Sequence, residues 1–234
     1  EVTALLKQLE PMMLWTAMSE RDDRDWGSPS QVTQADFAIS DPLLSAADAP
    51  QRPNVFVLLA DTARADRFAS FGGPLSIGEH LEALGEEGTV FEAARAPSSW
   101  TRPSTASLLT GLSPPGHRVF GRLDSVPEAV DTLAEILQRA GYATHAWSTN
   151  PNILPLFGFG QGFDVFEDVG SQTWGGRKTD GATLVDRVIA TLEGSPSQPG
   201  FYYVHFMDPH APYLPTEEQL SRVDELDGVE DSFP

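Results

Sequence analysis

The chain has 234 residues, with 15 Lys+Arg against 34 Asp+Glu and a formal net charge of −19. An apolar fraction of 40% is enough for a core, which excludes a collagen-like or wholly disordered chain. So acidic a surface is a poor match for a nucleic-acid backbone or an anionic membrane, and the absence of cysteine excludes disulfides, thiolate metal sites and a cysteine nucleophile.

The acidity is concentrated at the ends. Residues 1–52 carry nine acids and four bases, and residues 217–234 carry seven acids and one base. The organisation expected is an N-terminal extension or linker over 1–52, an α/β domain over 53–216, and an acidic tail or the start of a further part over 217–234. Within the extension, apolar residues near helical spacing predict one short helix over 3–18, interrupted at Pro11, followed by a proline-rich connector.

The run Val55-Phe56-Val57-Leu58-Leu59-Ala60 has the length of a strand buried on both faces of a parallel sheet, and is far too short to span a membrane. Downstream, the pattern predicts a helix over 75–88, a short strand over 89–94 and a helix start near 103–109. A helix over 130–140 is stopped by Gly141, and a strand follows over 142–147. A helix over 181–192 and an aromatic strand over 201–206 complete the series. Strands alternating with helices predict an α/β fold, a mostly parallel central sheet with helices on both faces. In such folds the ligand crevice lies beyond the C-terminal strand ends, which directs attention to the residues after Ala60, Trp147 and Phe206.

Asp61 stands directly after the first strand. A carboxylate there can hold a metal, or it can cap a helix starting at Thr62, since Asp is a favoured N-cap. Thr101, two residues before Pro103, opens a helix. Its hydroxyl can be a cap, or a nucleophile beside free N–H groups that suit a phosphate or sulfate ester. After the last strand, Asp208 and His210 are acceptable ligands for a hard or borderline cation, although Asp-Pro also starts turns.

Taken in order, these segments resemble the sulfatase family of the alkaline-phosphatase superfamily. Arg-Pro-Asn-Val-Phe-Val-Leu-Leu-Ala-Asp at 52–61 is similar to its opening strand. Ser-Trp-Thr-Arg-Pro-Ser-Thr-Ala-Ser-Leu-Leu-Thr-Gly-Leu at 99–112, followed by Pro114 and His117, resembles its nucleophile segment. Gly141-Tyr142-Ala143-Thr144, Gly160-Gln161-Gly162-Phe163-Asp164 and His-Phe-Met-Asp-Pro-His-Ala-Pro-Tyr at 205–213 follow in the same order.

The resemblance implies an alkaline-phosphatase-like fold, incomplete in this chain. It makes Asp61 a metal ligand and Thr101 the nucleophile on the same metal. Asp208 and His210 would lie at the metal or the substrate oxyanion, and His117 near the active centre. His80 and His145 match no motif segment. The implied cofactor is a divalent metal: zinc, manganese or calcium. The implied substrate is a small-molecule, glycan or lipid ester of phosphate or sulfate, met in a periplasmic or extracellular setting.

The departures are informative. The family's usual Cys or Ser, oxidised to formylglycine, is replaced by Thr101, which cannot form that aldehyde. This favours phosphate over sulfate. Thr62 stands for the usual second Asp, and Thr105 for an Arg. Ser148-Thr149-Asn150-Pro151 replaces the lysine-bearing segment, leaving Asn150 as a candidate substrate contact by residue type. No Asp-His-Gly or Asp-Asn-Gly element follows before Pro234, so the chain is expected to be the N-terminal portion of such a domain. Alone it is expected to be inactive as an esterase. The rival expectation is a catalytically inactive sulfatase-like binding or scaffold domain.

Overall fold

A computed structural model describes residues 52–71, 79–170, 181–194, 198–213 and 217. The predicted helix over 3–18 lies outside the described residues, as do nearly all of the N-terminal extension and the acidic tail. The described elements are β1 (Val55–Ala60), α1 (Glu79–Glu87), α2 (Thr101–Thr110), α3 (Pro114–His117), α4 (Leu133–Arg139), β2 (Ala143–Ser148), β3 (Val165–Asp168), α5 (Gly181–Glu193) and β4 (Gly200–Phe206).

The four strands form one sheet in the order β1-β4-β2-β3, and every neighbouring pair is parallel. β4 is central and buried along its whole length, as its unbroken apolar and aromatic run requires. Side chains alternate between the faces. Leu58, Trp147, Tyr202, Val204 and Phe206 face α5, whose Leu184, Val185, Val188 and Ile189 complete one core. Leu59, Ala146, Phe201 and Tyr203 face the other way and pack with Ala106 and Leu109 of α2 and Ala134 of α4. Helices therefore cover both faces of the sheet. Full burial of each large aliphatic or aromatic side chain in these cores contributes about 1.5–3 kcal/mol.

Local chemistry sets the helix limits. α4 starts with a capping box: the Thr132 hydroxyl accepts from the Glu135 backbone N–H, and the Glu135 carboxylate accepts from the Thr132 N–H. α2 ends at Gly111, whose φ of 68° is the left-handed geometry of a C-terminal stop. Residues 89–94 form a turn rather than the predicted strand. Val90 and Phe91 are exposed there, Phe91 to 70%, and among the described residues no strand pairs with this segment. Conversely, the pattern missed β3. Its four residues are half-buried at most, and pairing with β2 rather than hydrophobic alternation defines them. Among the described residues no helix is long and apolar enough to cross a membrane.

Candidate active site

The parity of the sheet builds the site. Leu59 lies on the α2 face, so Asp61, two residues on, projects to the same side, and the Asp61 N–H still pairs with Phe206 O at 2.9 Å. On β4 the same face carries Phe201, Tyr203 and then His205. His205 is registered between Leu59 of β1 and Ser148 of β2. α2 lies across this face and begins at Thr101. Asp61 and His205 thus arrive beneath the N-terminus of α2.

The Thr101 hydroxyl donates to Asp61 Oδ2 at 2.9 Å and lies 3.2 Å from Oδ1. The helix cap is Trp100, with no side-chain cap bond, so Thr101 is the first helical residue and its hydroxyl does not serve as a cap. Asp61 does not cap either. The chain after it makes a turn before a short 3-10 segment at Ala65–Arg67, whose start also lacks a side-chain cap. Arg64 and Asp66 pair with each other at 2.7 Å on the surface.

Two further buried groups converge on the carboxylate. Asn150 Nδ2 donates to Asp61 Oδ2 in a short hydrogen bond, and also lies 3.0 Å from Met207 Sδ. His205 Nε2 lies 3.3 Å from the same oxygen. Burial alone would raise the Asp61 pKa. Hydrogen bonds from His205 and from the Thr101 hydroxyl, with the nearby His210, outweigh it and hold the group below its ordinary value. Asp61 is therefore an anion at neutral pH, which a metal-binding or nucleophile-orienting role requires.

Immediately after Asp61, Thr62 has φ of 59°. A β-branched residue in the left-handed region is strained, by roughly 1–3 kcal/mol. Its hydroxyl donates to Pro209 O at 3.0 Å, tying the loop after β1 to the loop after β4. That tie holds the loops together at the strand ends where the site sits.

The remaining expected site residues divide. His210 lies past β4, near enough for its charge to act on Asp61, with Nδ1 2.6 Å from Ala211 O. Asp208 holds a different element: its Oδ1 accepts from the Gly181 N–H at 2.9 Å, at the first residue of α5, where a carboxylate complements the helix dipole. For His117, expected near the active centre, the partners lie along α2. His117 is wholly buried between α2 and the turn after it. Its Nδ1 accepts from Val119 N at 3.0 Å, so Nε2 carries the proton and donates to Ser107 Oγ at 2.9 Å. Both ring nitrogens are thus engaged in packing α2. Asn150, expected at the substrate, is fully buried and directed at Asp61, and its Oδ1 accepts from Asn152 N at 2.8 Å. His145 is a packing residue, stacked on Trp147 and Tyr202.

Sequence reasoning passed over His205, although it lies inside the quoted 205–213 segment. The available signal was the alternation 201, 203, 205 on one strand face. It also passed over Arg102, which is 2% exposed. The Arg102 guanidinium donates to Asn152 O, Arg122 O and Asp124 O, and stacks on Phe157 with 3.5 Å between Cζ and the ring centroid. It joins the start of α2 to the loops at 120–124 and 150–157, the second of which carries Asn150.

Asp61 and the Thr101 hydroxyl offer hard oxygen donors suited to a divalent cation. They are a partial ligand set: among the described residues no group of three or more His, Asp or Glu side chains could hold a metal ion.

A family model for sulfatases matches residues 53–225, and the chain belongs to the sulfatase family. The ulvan-active sulfatase of Formosa agariphila is 33% identical over 100 residues, which are 43% of this chain and 20% of that protein. The mouse steryl-sulfatase is 29% identical over 124 residues, 48% of this chain and 20% of the relative. The goat N-acetylglucosamine-6-sulfatase is 39% identical over 74 residues, 32% and 12% of the two chains. The chain thus spans about a fifth or less of the length of these curated relatives. Among solved structures, BT4656 in complex with D-glucosamine-2-N,6-O-disulfate superposes with a TM-score of 0.64 at 22% identity, over 75% of this chain and 38% of the other. The periplasmic domain of Escherichia coli EcEptC, in complex with Zn, gives 0.59 at 18%, over 80% and 51%. A member of the alkaline-phosphatase superfamily from Vibrio parahaemolyticus gives 0.54 at 23%, over 72% and 43%. These likenesses establish the alkaline-phosphatase-like α/β fold.

Proposed function

We propose that this chain is the nucleophile-bearing part of a metal-dependent hydrolase or transferase acting on phosphate or sulfate esters, with Thr101 as nucleophile. One observation carries the reading: the Thr101 hydroxyl, inside the helix and not at its cap, donates to a buried, ionised carboxylate at a strand end. A divalent metal bound through Asp61 would lower the energy of the Thr101 alkoxide and polarise the substrate oxygen.

The chain's own residues do the rest. Asp61 accepts the Thr101 proton through its hydrogen bond, which orients Oγ1. At the start of α2, where Pro103 has no N–H and the Ser104 N–H pairs with Trp100 O, the backbone N–H groups of Thr101 and Arg102 would be the ones to meet an oxyanion. Asn150 braces the carboxylate, and the half-buried His210 would be the side chain to meet a substrate oxygen. Thr101 Oγ1 bonds to phosphorus or sulfur as the bond to the leaving oxygen breaks, and that oxygen takes up the proton held on Asp61. Water or a second alcohol then attacks the Thr101 ester and regenerates the hydroxyl. Phosphate is favoured over sulfate because threonine cannot supply a formylglycine aldehyde. Glycan and lipid esters are the substrate classes favoured by the relatives' names, and a periplasmic or extracellular setting is the one proposed.

In the full-length protein, Thr101→Ala is expected to abolish turnover of aryl phosphates and aryl sulfates. Thr101→Ser is expected to retain part of it. Accurate mass after rapid quenching is expected to show an ester on Thr101. Full activity in Thr101→Ala refutes the assignment. The second reading, an inactive sulfatase-like binding domain, is favoured by the partial ligand set among the described residues. Absence of chelator-sensitive turnover with every such ester would select it.

A further inference from the structure

The groups around Asp61 do not end with those that touch it. His205 is wholly buried, and its second nitrogen, Nδ1, lies 2.7 Å from the hydroxyl of Tyr203, which is also wholly buried. Both stand on the same face of β4, two residues apart, with Thr105 beside the phenol. Thr105 lies one helical turn beyond Thr101 on α2, so the two threonines share a helix face. Thr101 meets Asp61 of β1, and Thr105 neighbours Tyr203 of β4. The circuit from α2 through β4 and β1 back to α2 is closed by side chains that are buried except for the half-buried Thr101.

For a neutral His205 ring the direction of each hydrogen bond follows from its partners. A carboxylate has no proton to give, so the 3.3 Å approach of His205 Nε2 to Asp61 Oδ2 requires hydrogen on Nε2. A neutral ring then has a bare Nδ1, which must accept. The Tyr203 phenol has its proton to give, since burial and the Asp61 charge push its pKa well above the ordinary range. Tyr203 therefore donates to Nδ1, which selects the tautomer that donates to Asp61. Asp61 Oδ2 receives His205, Asn150 and Thr101 from three different elements.

We propose that Tyr203 and His205 are positioning residues of the Asp61–Thr101 pair: the phenol fixes the imidazole tautomer, and the imidazole fixes the carboxylate against the Thr101 hydroxyl. This rests on the proposed role of Thr101. Neither residue touches the reacting atoms. They act by limiting the rotation of Asp61, so that its oxygens stay aimed at Thr101 and at any cation it shares. Partners that orient a metal-binding group in this way are typically worth about 10–100-fold in activity or metal affinity.

Three variants of the full-length protein test the chain: Tyr203→Phe, His205→Leu and His205→Gln. Turnover of an aryl phosphate with added Mn²⁺ or Zn²⁺ is measured well below each variant's unfolding midpoint. In Tyr203→Phe and His205→Leu, kcat is expected to fall about 10–100-fold with KM little changed. His205→Gln, whose amide nitrogen reaches the place of Nε2, is expected to recover most of the loss. A purely structural role would lower the unfolding midpoint and leave kcat intact. In parallel, ¹⁵N-histidine NMR of the wild-type protein is expected to show His205 with hydrogen on Nε2 and a slowly exchanging ring proton, and Tyr203→Phe to speed that exchange. An Nδ1–H tautomer in the wild type, or an unchanged kcat in both Tyr203→Phe and His205→Leu, overturns the proposal. A wild-type protein that turns over no ester removes the proposed function instead, and the tautomer then decides whether this chain holds Asp61.

Discussion

Replacing Arg102 by methionine is expected to loosen the site without touching it. The guanidinium is 2% exposed and donates to Asn152 O at 3.2 Å, to Arg122 O in a short bond, and to Asp124 O at 3.3 Å. A hydrogen bond made by a charged group contributes about 1.5–3 kcal/mol, and a buried carbonyl left without a donor costs a comparable amount. The longest of the three counts for little. Stacking on Phe157 adds roughly 0.5–2 kcal/mol. Methionine keeps most of the stem and a sulfur contact with the ring, so the apolar part survives. The net loss is about 3 kcal/mol, dominated by two hydrogen bonds. For a domain of this size that lowers the unfolding midpoint by about 6–12 °C, readable by differential scanning calorimetry. The loops at 120–124 and 150–157 should also become more susceptible to limited proteolysis, because the residue joins them. Arg102→Lys is expected to recover little, since an ammonium cannot reproduce the planar fork. A midpoint within about 2 °C of the wild type would refute the reasoning, because it would mean that these carbonyls find other donors at no cost.

Gly162→Ala should lower stability by at least about 2 kcal/mol, since φ there is 78° and an added methyl would meet the backbone of Ala134 and Glu135 at the start of α4; the urea midpoint reads this. Burial lowers the pKa of His117 and His145 below the ordinary 6.5. The unfolded chain then takes up protons that the folded chain refuses, so stability is full above about pH 6.5 and falls as pH drops through that value toward the folded pKa values. Denaturant titrations across pH 5 to 7.5 should show the slope, and His117→Asn, whose side-chain oxygen can still accept from Val119, should flatten it. A slope of the opposite sign would mean that the folded histidines are charged.

Much of the fold was legible because burial leaves a strong imprint. The run at 55–60 is apolar on both faces, and β1 occupies those residues. Gly141, with φ of 83°, ends the α4 region one residue after its cap, and β2 begins at Ala143. β3 and the turn at 89–94 were illegible for the complementary reason. Both are short and largely exposed, and among the described residues a partner strand is present for one and not for the other. α3 was invisible in the periodicity for a related reason: a four-residue helix containing two prolines and a glycine has no period to read.

The site shows the same division on a finer scale. Asp61 and Thr101 were readable because a strand end and a helix start are places where chemistry concentrates, and the structure brings their side chains to 2.9 Å. Asp208 and His210 lie past the end of β4, where the alternation that aims side chains no longer applies. One accordingly engages α5 and the other acts on Asp61 only through its charge. His205 lies still within the strand, and there alternation does apply: Phe201 and Tyr203 face α2, so His205 must too. Nearness to Asp61 is thus governed by parity and register across the sheet, not by closeness in sequence to the Asp-Pro-His motif. His117 shows in another way that closeness in sequence does not set contact with Asp61. It follows the nucleophile segment closely in sequence, yet α2 carries the chain a full ten residues from Thr101 to Thr110 before the turn that holds it. The chain then folds the ring back along α2, where it meets Ser107 Oγ and the Pro103 backbone, and the Val119 N–H donates to its other nitrogen, so both nitrogens are engaged in packing that helix rather than in contact with Asp61.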